Sequence, residues 1–292
     1  MPNYILGIDG GGTSCRAAVA DARGRILGRG KSGAANILTD PDNALIHIVG
    51  AATAAFEEAD IAPSEIGSAC ALLGVAGSNV GDAVHYVKER LPFAKADIES
   101  DGLIALQGAL GDSDGAVAIL GTGSIYIARQ GDEIRYIGGW GFQIGDLGSG
   151  ARLGHALLQE SVLAFDRIHP SSSLTNAIMA EFNDDPREVV EFARAARPGE
   201  FGRFAPKVFE YAGQNDPVAI ALLHASAQTI DEALDAVVAQ GSRKLCLLGG
   251  LAPIYRPWLA ARHQPLFTEP EADALTGSVA LAAKRFAAGG QA

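Results

Sequence analysis

Tyr4-Ile5-Leu6-Gly7-Ile8-Asp9-Gly10-Gly11-Gly12-Thr13 is the stretch on which the fold turns. Tyr4 to Ile8 is an apolar run of strand length, and it stops at a carboxylate followed by three consecutive glycines. Three glycines cost backbone entropy and contribute no packing, so the backbone there must pass close to something. A tight turn between strands aims successive N–H groups into a concavity that suits phosphate. Thr13 and Ser14 add hydroxyl donors, and Asp9 at the strand end is placed to hold Mg²⁺, through water. A plain hairpin with a bulge fits the same residues equally well. The run is not a P-loop, because no Gly-Lys-Ser/Thr follows, and it is not a G-x-G-x-x-G dinucleotide turn.

Working outward, Arg16 to Ala20 and Ile26 to Gly30 read as further strands around the turn Asp21-Ala22-Arg23-Gly24, a β-meander. A helix is predicted from Asp42 to Ala59, with Pro41 near its start. Cys70 to Val75 is an apolar strand ending at Ala76-Gly77-Ser78. Val80 to Leu91 reads as a helix, Ala96 to Glu99 as a short strand and Gly102 to Leu110 as a helix. The opening pattern then recurs about 110 residues later, too long a spacing for a solenoid. Gly115 to Leu120 runs into Gly121-Thr122-Gly123-Ser124, followed by Ile125 to Arg129, the turn Gln130-Gly131-Asp132, and Ile134 to Ile137. Two related halves with a cleft between them are expected, with the polar segment Leu110 to Asp114 as linker. The remainder is mostly helical: Ala151 to Phe165, Ser173 to Phe182, Pro186 to Ala195 and Pro217 to Ala239. Lys244 to Leu248 is a strand closed by Gly249-Gly250-Leu251-Ala252, and Glu271 to Ala288 is a final helix.

Composition bounds the function. The chain has 292 residues, enough for two domains. Its net charge of -11 disfavours nucleic acid and anionic lipid as partners. The 36 glycines far exceed the usual share of about 7% and announce many close backbone approaches. Cys15, Cys70 and Cys246 lie far apart without C-x-x-C spacing, which argues against a zinc ribbon or a disulfide scaffold and for a cytoplasmic setting. The six histidines show no metal-ligand spacing. No apolar run approaches the ~18 residues of a membrane span, and no signal peptide is read at the N-terminus.

Several residues suit chemistry at such glycine turns. Paired turns at 10–13 and 121–124 would grip a phosphate chain from both sides. Gly249 and Gly250 would let an adenosine lie against backbone, although a strand-to-helix turn alone explains them. Asp101, in Ser100-Asp101-Gly102, would accept the proton of an alcohol in phosphoryl transfer. An aspartate before a helix is also a preferred N-cap, and residue preference alone favours the cap. Gly138-Gly139-Trp140-Gly141 and Gly145-Asp146-Leu147-Gly148-Ser149-Gly150 form a glycine-dense loop. There Trp140 offers a flat face to a sugar ring, or to the core, and Asp146 a carboxylate to vicinal hydroxyls.

Taken as an ordered set, Gly7-Ile8-Asp9-Gly10-Gly11-Gly12-Thr13, Gly74-Val75-Ala76-Gly77, Ser100-Asp101, Gly121-Thr122-Gly123-Ser124, Gly138-Gly139-Trp140-Gly141, Gly145-Asp146-x-Gly148-Ser149 and Leu248-Gly249-Gly250 resemble the BadF/BadG/BcrA/BcrD-type ATPase and N-acetylglucosamine kinase family of the actin-like ATPase superfamily. The resemblance covers nearly the whole chain. It implies an α/β, actin-like (ribonuclease-H-like) fold of two duplicated domains with an interdomain cleft. The first domain would be 1–112 joined by the C-terminal helix 272–288, and the second 113–271 with a helical insertion. It implies ATP and Mg²⁺, and phosphorylation of the 6-hydroxyl of N-acetylglucosamine, with glucosamine as the alternative. Asp101 would be the base, Asp9 the metal-side carboxylate, and Gly10, Gly11, Gly12, Thr13, Gly121, Thr122, Gly123, Gly249 and Gly250 the nucleotide contacts. The sugar would meet Asn36, Asp101, Thr122, Gly123, Gly139, Trp140 and Asp146. Asn36 stands among small residues, where a polar side chain needs a partner. Relatives often carry Glu where this chain has Leu147, which bears on which sugar is used and leans toward the acetylated one.

A dehydratase-activating ATPase of the same broad family would need cysteines placed for an iron–sulfur cluster, which these do not suggest. A nucleotide switch would not need the Trp140–Asp146 loop, and a ROK-type sugar kinase would carry a zinc-binding cysteine cluster. The partner is expected to be a small sugar. Homodimerisation is left open by the sequence.

Overall fold

The computed structural model describes residues 3–78 and 82–287. The chain divides into two units, one formed by residues up to Ser113 together with those from Glu269 onward, the other by Asp114–Thr268.

Unit 1 is built on a five-stranded sheet of β1 (Ile5–Gly10), β2 (Cys15–Ala20), β3 (Ile26–Ser32), β4 (Cys70–Val75) and β5 (Lys95–Ser100), in the order β3-β2-β1-β4-β5. β1, β2 and β3 form the antiparallel meander, and β4 and β5 join parallel to β1. β4 is buried along its whole length, as expected of a strand covered on both faces. Helix α1 (Pro41–Glu58) covers one face; Asp40 caps it by accepting from the Asn43 N–H, and Pro41 occupies the first turn, where a missing donor is harmless. Its buried Ile48, Ala51, Ala52, Ala55 and Phe56 form a core with Leu6, Ile8, Val19, Ala71 and Leu73. α3 (Asp101–Leu110) and α11 (Ala274–Ala287) cover the other face, where Leu275, Val279 and Ala282 pack against Ile5, Ala18, Leu72 and Ile104.

Unit 2 repeats the plan with β6 (Gly115–Leu120), β7 (Ser124–Gln130), β8 (Glu133–Gly138) and β9 (Leu245–Leu248), in the order β8-β7-β6-β9. Again a meander is extended by a parallel strand, β9 on β6. Its core gathers α4 (Gly150–Phe165), α5 (Ser173–Glu181), α6 (Pro186–Ala195), α7 (Pro198–Gly202), α8 (Ala205–Gly213) and α9 (Pro217–Ala239) on Leu120, Tyr126 and Leu245. α10 (Ala252–Tyr255) follows β9.

Four elements differ from the sequence reading. The helix expected over Val80 to Leu91 is α2 (Ala83–Lys88). Val80 lies outside the described residues, and Leu91 precedes Pro92, whose ring disfavours helical backbone before it. The final helix begins after Glu271, because the Glu271 and Ala272 N–H groups donate to Ala109 and Gly108 carbonyls and Asp273 supplies the cap; Ala288, its expected end, is outside the described residues. α7 and α8 were not expected, since Gly199, Gly202, Pro198 and Pro206 break the periodicity on which a helix is recognised.

Candidate active site

Parallel strands bring the candidate residues of unit 1 to one edge. In the register of β1, β4 and β5, Gly10 pairs with Val75 and Val75 with Ser100. Asp9, the loop 10–13, the turn 76–78 and Asp101 therefore emerge together at the carboxyl ends of adjacent strands, the usual ligand edge of such sheets. Gly11 N–H donates to Ser14 O to close the hairpin turn. The Gly10 and Gly11 carbonyls accept from Ala76 and Ala35 N–H at 2.8 and 2.9 Å. With its carbonyls so engaged, the loop keeps Gly12 and Thr13 exposed, and among the described residues their N–H groups donate to no backbone carbonyl. Gly10 must be glycine, because a Cβ there would lie 2.9 Å from Val75 Cγ1.

Asp101 is the first residue of α3, and it is not the cap. Ser100 takes that role, its Oγ accepting from Leu103 N–H at 3.1 Å. Among the described residues the Asp101 carboxylate accepts from its neighbour Gly102 N–H, at 2.9 Å, and from its own backbone N–H, and the residue is exposed. Crowding by surrounding protein disfavours its charged form and pushes the carboxyl above the usual aspartate value, and the negative charge of Asp9 adds to this. Asp9 is itself paired with Arg16 across the hairpin. Asn36 finds its partners locally: its Oδ1 accepts from Leu38 and Thr39 N–H at 3.0 and 3.2 Å. The expectation that Asn36 awaits a ligand thus holds at most for its amide nitrogen.

Unit 2 has the matching edge. Ile119 of β6 pairs with Leu248 of β9, so the turns at 121–124 and 249–252 emerge side by side. The Gly150 and Ala151 N–H groups at the start of α4 donate to the Gly121 and Thr122 carbonyls at 2.8 and 3.1 Å. The loop's carbonyls thus face the helix, and among the described residues the Thr122 and Gly123 N–H groups donate to no backbone carbonyl. The positive end of α4 lies behind a loop that offers amides to an anion. Gly249 has φ 92°, and a Cβ there would sit 2.3 Å from the Leu120 carbonyl, so its glycine is required by the turn. Gly250 has open space above it, as do Gly12 and Gly121.

In the loop from Gly138 to Ser149, Trp140 is 75% exposed, so it is not a core residue. Gly139 carries φ 73° beside it. Asp146 is half-buried, and its carboxylate accepts from the Gly141 and Ser124 backbone N–H groups; burial nonetheless pushes it above the ordinary aspartate value. Asp146 therefore ties the Trp140 loop to the second glycine turn, a structural duty the sequence did not disclose.

Residues 6–258 match the pattern of the BadF/BadG/BcrA/BcrD ATPase family. The chain belongs to that family. It is 37% identical to a glucosamine kinase of Vibrio cholerae over 97% of this chain and 96% of the relative. With an N-acetyl-D-glucosamine kinase of Dictyostelium discoideum it shares 27% identity, over 80% of this chain and 79% of the relative. A Chromobacterium violaceum structure, provisionally named an N-acetylglucosamine kinase, superposes with a TM-score of 0.88 at 30% identity, covering 96% of this chain and 99% of that one. The α/β architecture with two units is that of the actin-like ATPases.

Membership implies ATP, and the residues fit it. Two turns offer uncommitted amides, Gly12, Gly121 and Gly250 leave room above the backbone, and the Asp9 oxygens are hard donors of the kind magnesium takes. Two features escaped the sequence reading. Ser78 Oγ, at the unit 1 edge, is buried without a hydrogen-bond partner among the described residues. Gly202, at the end of α7, comes within a side chain's reach of Thr122, so the short helices border the second turn. Only the weak signal of an isolated Gly-Arg-Phe-Ala-Pro break marked that segment.

Proposed function

We propose that this protein is an ATP-dependent hexosamine kinase that phosphorylates the 6-hydroxyl of N-acetylglucosamine. The observation that supports it best is the shared carboxyl edge of β1, β4 and β5, which sets an uncapped, crowded Asp101 beside the first glycine turn. Asp101 accepts the proton of the sugar O6 as that oxygen bonds to the γ-phosphorus and the β–γ bridging oxygen departs with ADP. Gly12 and Thr13 in unit 1, and Thr122 and Gly123 in unit 2, donate to phosphate oxygens, while Gly10, Gly11 and Gly121, whose backbone is engaged within its own strand or turn, line the nucleotide beside them. Gly249 and Gly250 border the adenosine. Asp9 would hold magnesium through water, and the ion would supply neutralisation of phosphate charge there. Asn36, Gly139, Trp140 and Asp146 contribute to holding the sugar.

Leu147 and Ile144, 49% and 85% exposed in the Trp140 loop, favour an N-acetyl methyl over an ammonium. Glucosamine is the second reading, favoured by the 37% identity to the Vibrio cholerae enzyme. A cluster-bearing dehydratase activator is disfavoured: Cys15, Cys70 and Cys246 are buried in β2, β4 and β9, and burial pushes the Cys15 thiol up to about 12. The test is ADP release measured against N-acetylglucosamine, glucosamine, N-acetylmannosamine, glucose and no sugar. Turnover at least about tenfold above the sugar-free rate is expected with one of the two glucosamines, since water is an unpositioned acceptor. Equal rates with and without every sugar would defeat the proposal.

A further inference from the structure

Arg16 has no part in the scheme above, yet it stands directly across the hairpin from Asp9. Its Nε and Nη2 donate to the same Asp9 oxygen, Oδ2, at 3.2 and 2.5 Å, and among the described residues Oδ1 receives no hydrogen bond. On its other side Nη1 donates to Asp273 Oδ2 at 3.2 Å. Asp273 is fixed in turn, its Oδ1 accepting from the N–H and Oγ1 of Thr276 in the first turn of α11. A continuous chain, Thr276 to Asp273 to Arg16 to Asp9, thus runs from α11 to the mouth of the first glycine turn. Stability does not account for the outer link, because the Arg16 and Asp273 side chains are 41% and 42% exposed and such pairs contribute little. What a planar guanidinium braced from behind does supply is orientation of the carboxylate it grips.

On the reading that Asp9 is the metal-side carboxylate, we propose that Arg16 is a positioning residue, holding Oδ2 of Asp9 and leaving Oδ1 as the acceptor for a metal-bound water. Arg16 touches neither sugar nor phosphate in this role; it acts through Asp9. Removing it frees Asp9 to rotate, which weakens association with the metal and leaves the nucleotide's own contacts in place.

The test uses the full chain with R16A, R16K, D273N, D9N and the R16A/D9N pair. Half-saturating Mg²⁺ is read in the kinase assay, Mn²⁺ binding in the presence of ADP by electron paramagnetic resonance, and metal-free ADP binding by calorimetry. R16A is expected to raise the Mg²⁺ requirement and the Mn²⁺ dissociation constant by about tenfold, with metal-free ADP affinity changed by less than about threefold; on the D9N background it adds less than about twofold, because the two residues act as one unit. R16K restores part of the loss, since an ammonium still meets Oδ2 but without the fork. D273N gives a smaller shift in the same direction, and it carries the test if R16A does not fold. Unchanged Mn²⁺ binding in R16A beside an impaired D9N, or multiplied losses in the pair, would overturn the inference alone. An unaltered metal requirement in D9N would remove the reading of Asp9 and the inference with it.

Discussion

An aspartate that opens a helix is ordinarily consumed by that helix's own amides. At Asp101 this does not happen, because Ser100 supplies the cap and, among the described residues, the carboxylate is left with backbone bonds to Gly102 and to its own N–H alone. The consequence is a raised affinity for protons, caused first by crowding and then by Asp9. A carboxyl that titrates above its unfolded value of 3.8 binds protons more tightly when folded, so stability falls as pH rises from 3.8 through the raised value. At neutral pH the ionised Asp101 is therefore a cost to the fold. Replacing it with Asn should lower kcat by roughly 10²–10⁴-fold and at the same time raise the melting temperature at pH 7, with the gain shrinking toward pH 4. The wild-type acid limb should lie above the ordinary aspartate range with unit slope. Steady-state profiles and calorimetric melts of both proteins check this; a D101N protein that melts lower at pH 7 would contradict the crowding argument.

At the scale of elements, the two glycines that follow β9 differ in what the turn demands of them. Gly249 cannot accept a Cβ without striking the Leu120 backbone, and its φ of 92° is strained for any other residue. Gly250 faces open space. Gly249→Ala should cost about 1–3 kcal/mol of stability, whereas Gly250→Ala should cost under about 0.5 kcal/mol and weaken ATP binding instead. Denaturant melts paired with nucleotide titrations distinguish them, and a Gly250→Ala protein with unchanged ATP affinity would free that residue from the adenosine. The same contrast shows what the sequence could and could not disclose. Strands were legible because each apolar run ends at a glycine or polar turn, and the recurrence of meander plus turn is real: both sheets add a parallel strand beside the first strand of a meander. Glycine alone was ambiguous. Gly28 and Gly30 of β3 exist so that α1 can close on the strand, where a Cβ would lie 2.4 and 2.1 Å from the Ala55 and Ala51 carbonyls. Hydrogen-bond bookkeeping was invisible as well: that Asn36 serves its own turn and Asp146 ties two loops depends on contacts between segments, which no local pattern records.

For the molecule as a whole, the decisive fact is how the chain closes unit 1. Unit 2 is one continuous stretch with its own core, whereas unit 1 needs α11, drawn from the far end of the sequence. α11 brings Leu275, Val279 and Ala282, all nearly fully buried, onto β1 and α3. Gly7 of β1 and Gly108 of α3 have no side chain because Ser278, Val279 and the Asp273 backbone occupy that space. At about 1.5–3 kcal/mol for each large apolar side chain buried, losing α11 removes several kcal/mol together with the cover over Ile5, Leu72 and Ile104. That is comparable to the whole margin of a typical domain, about 5–15 kcal/mol. A chain ending at Thr268 should therefore keep slow amide exchange in β6, β7, β9 and α9 while β1, β4 and α3 exchange at nearly unprotected rates. Hydrogen–deuterium exchange of the truncated and full-length proteins measures this directly. Retained protection across β1 and β4 would mean that the first 113 residues carry a sufficient core of their own, with α1 alone holding the sheet.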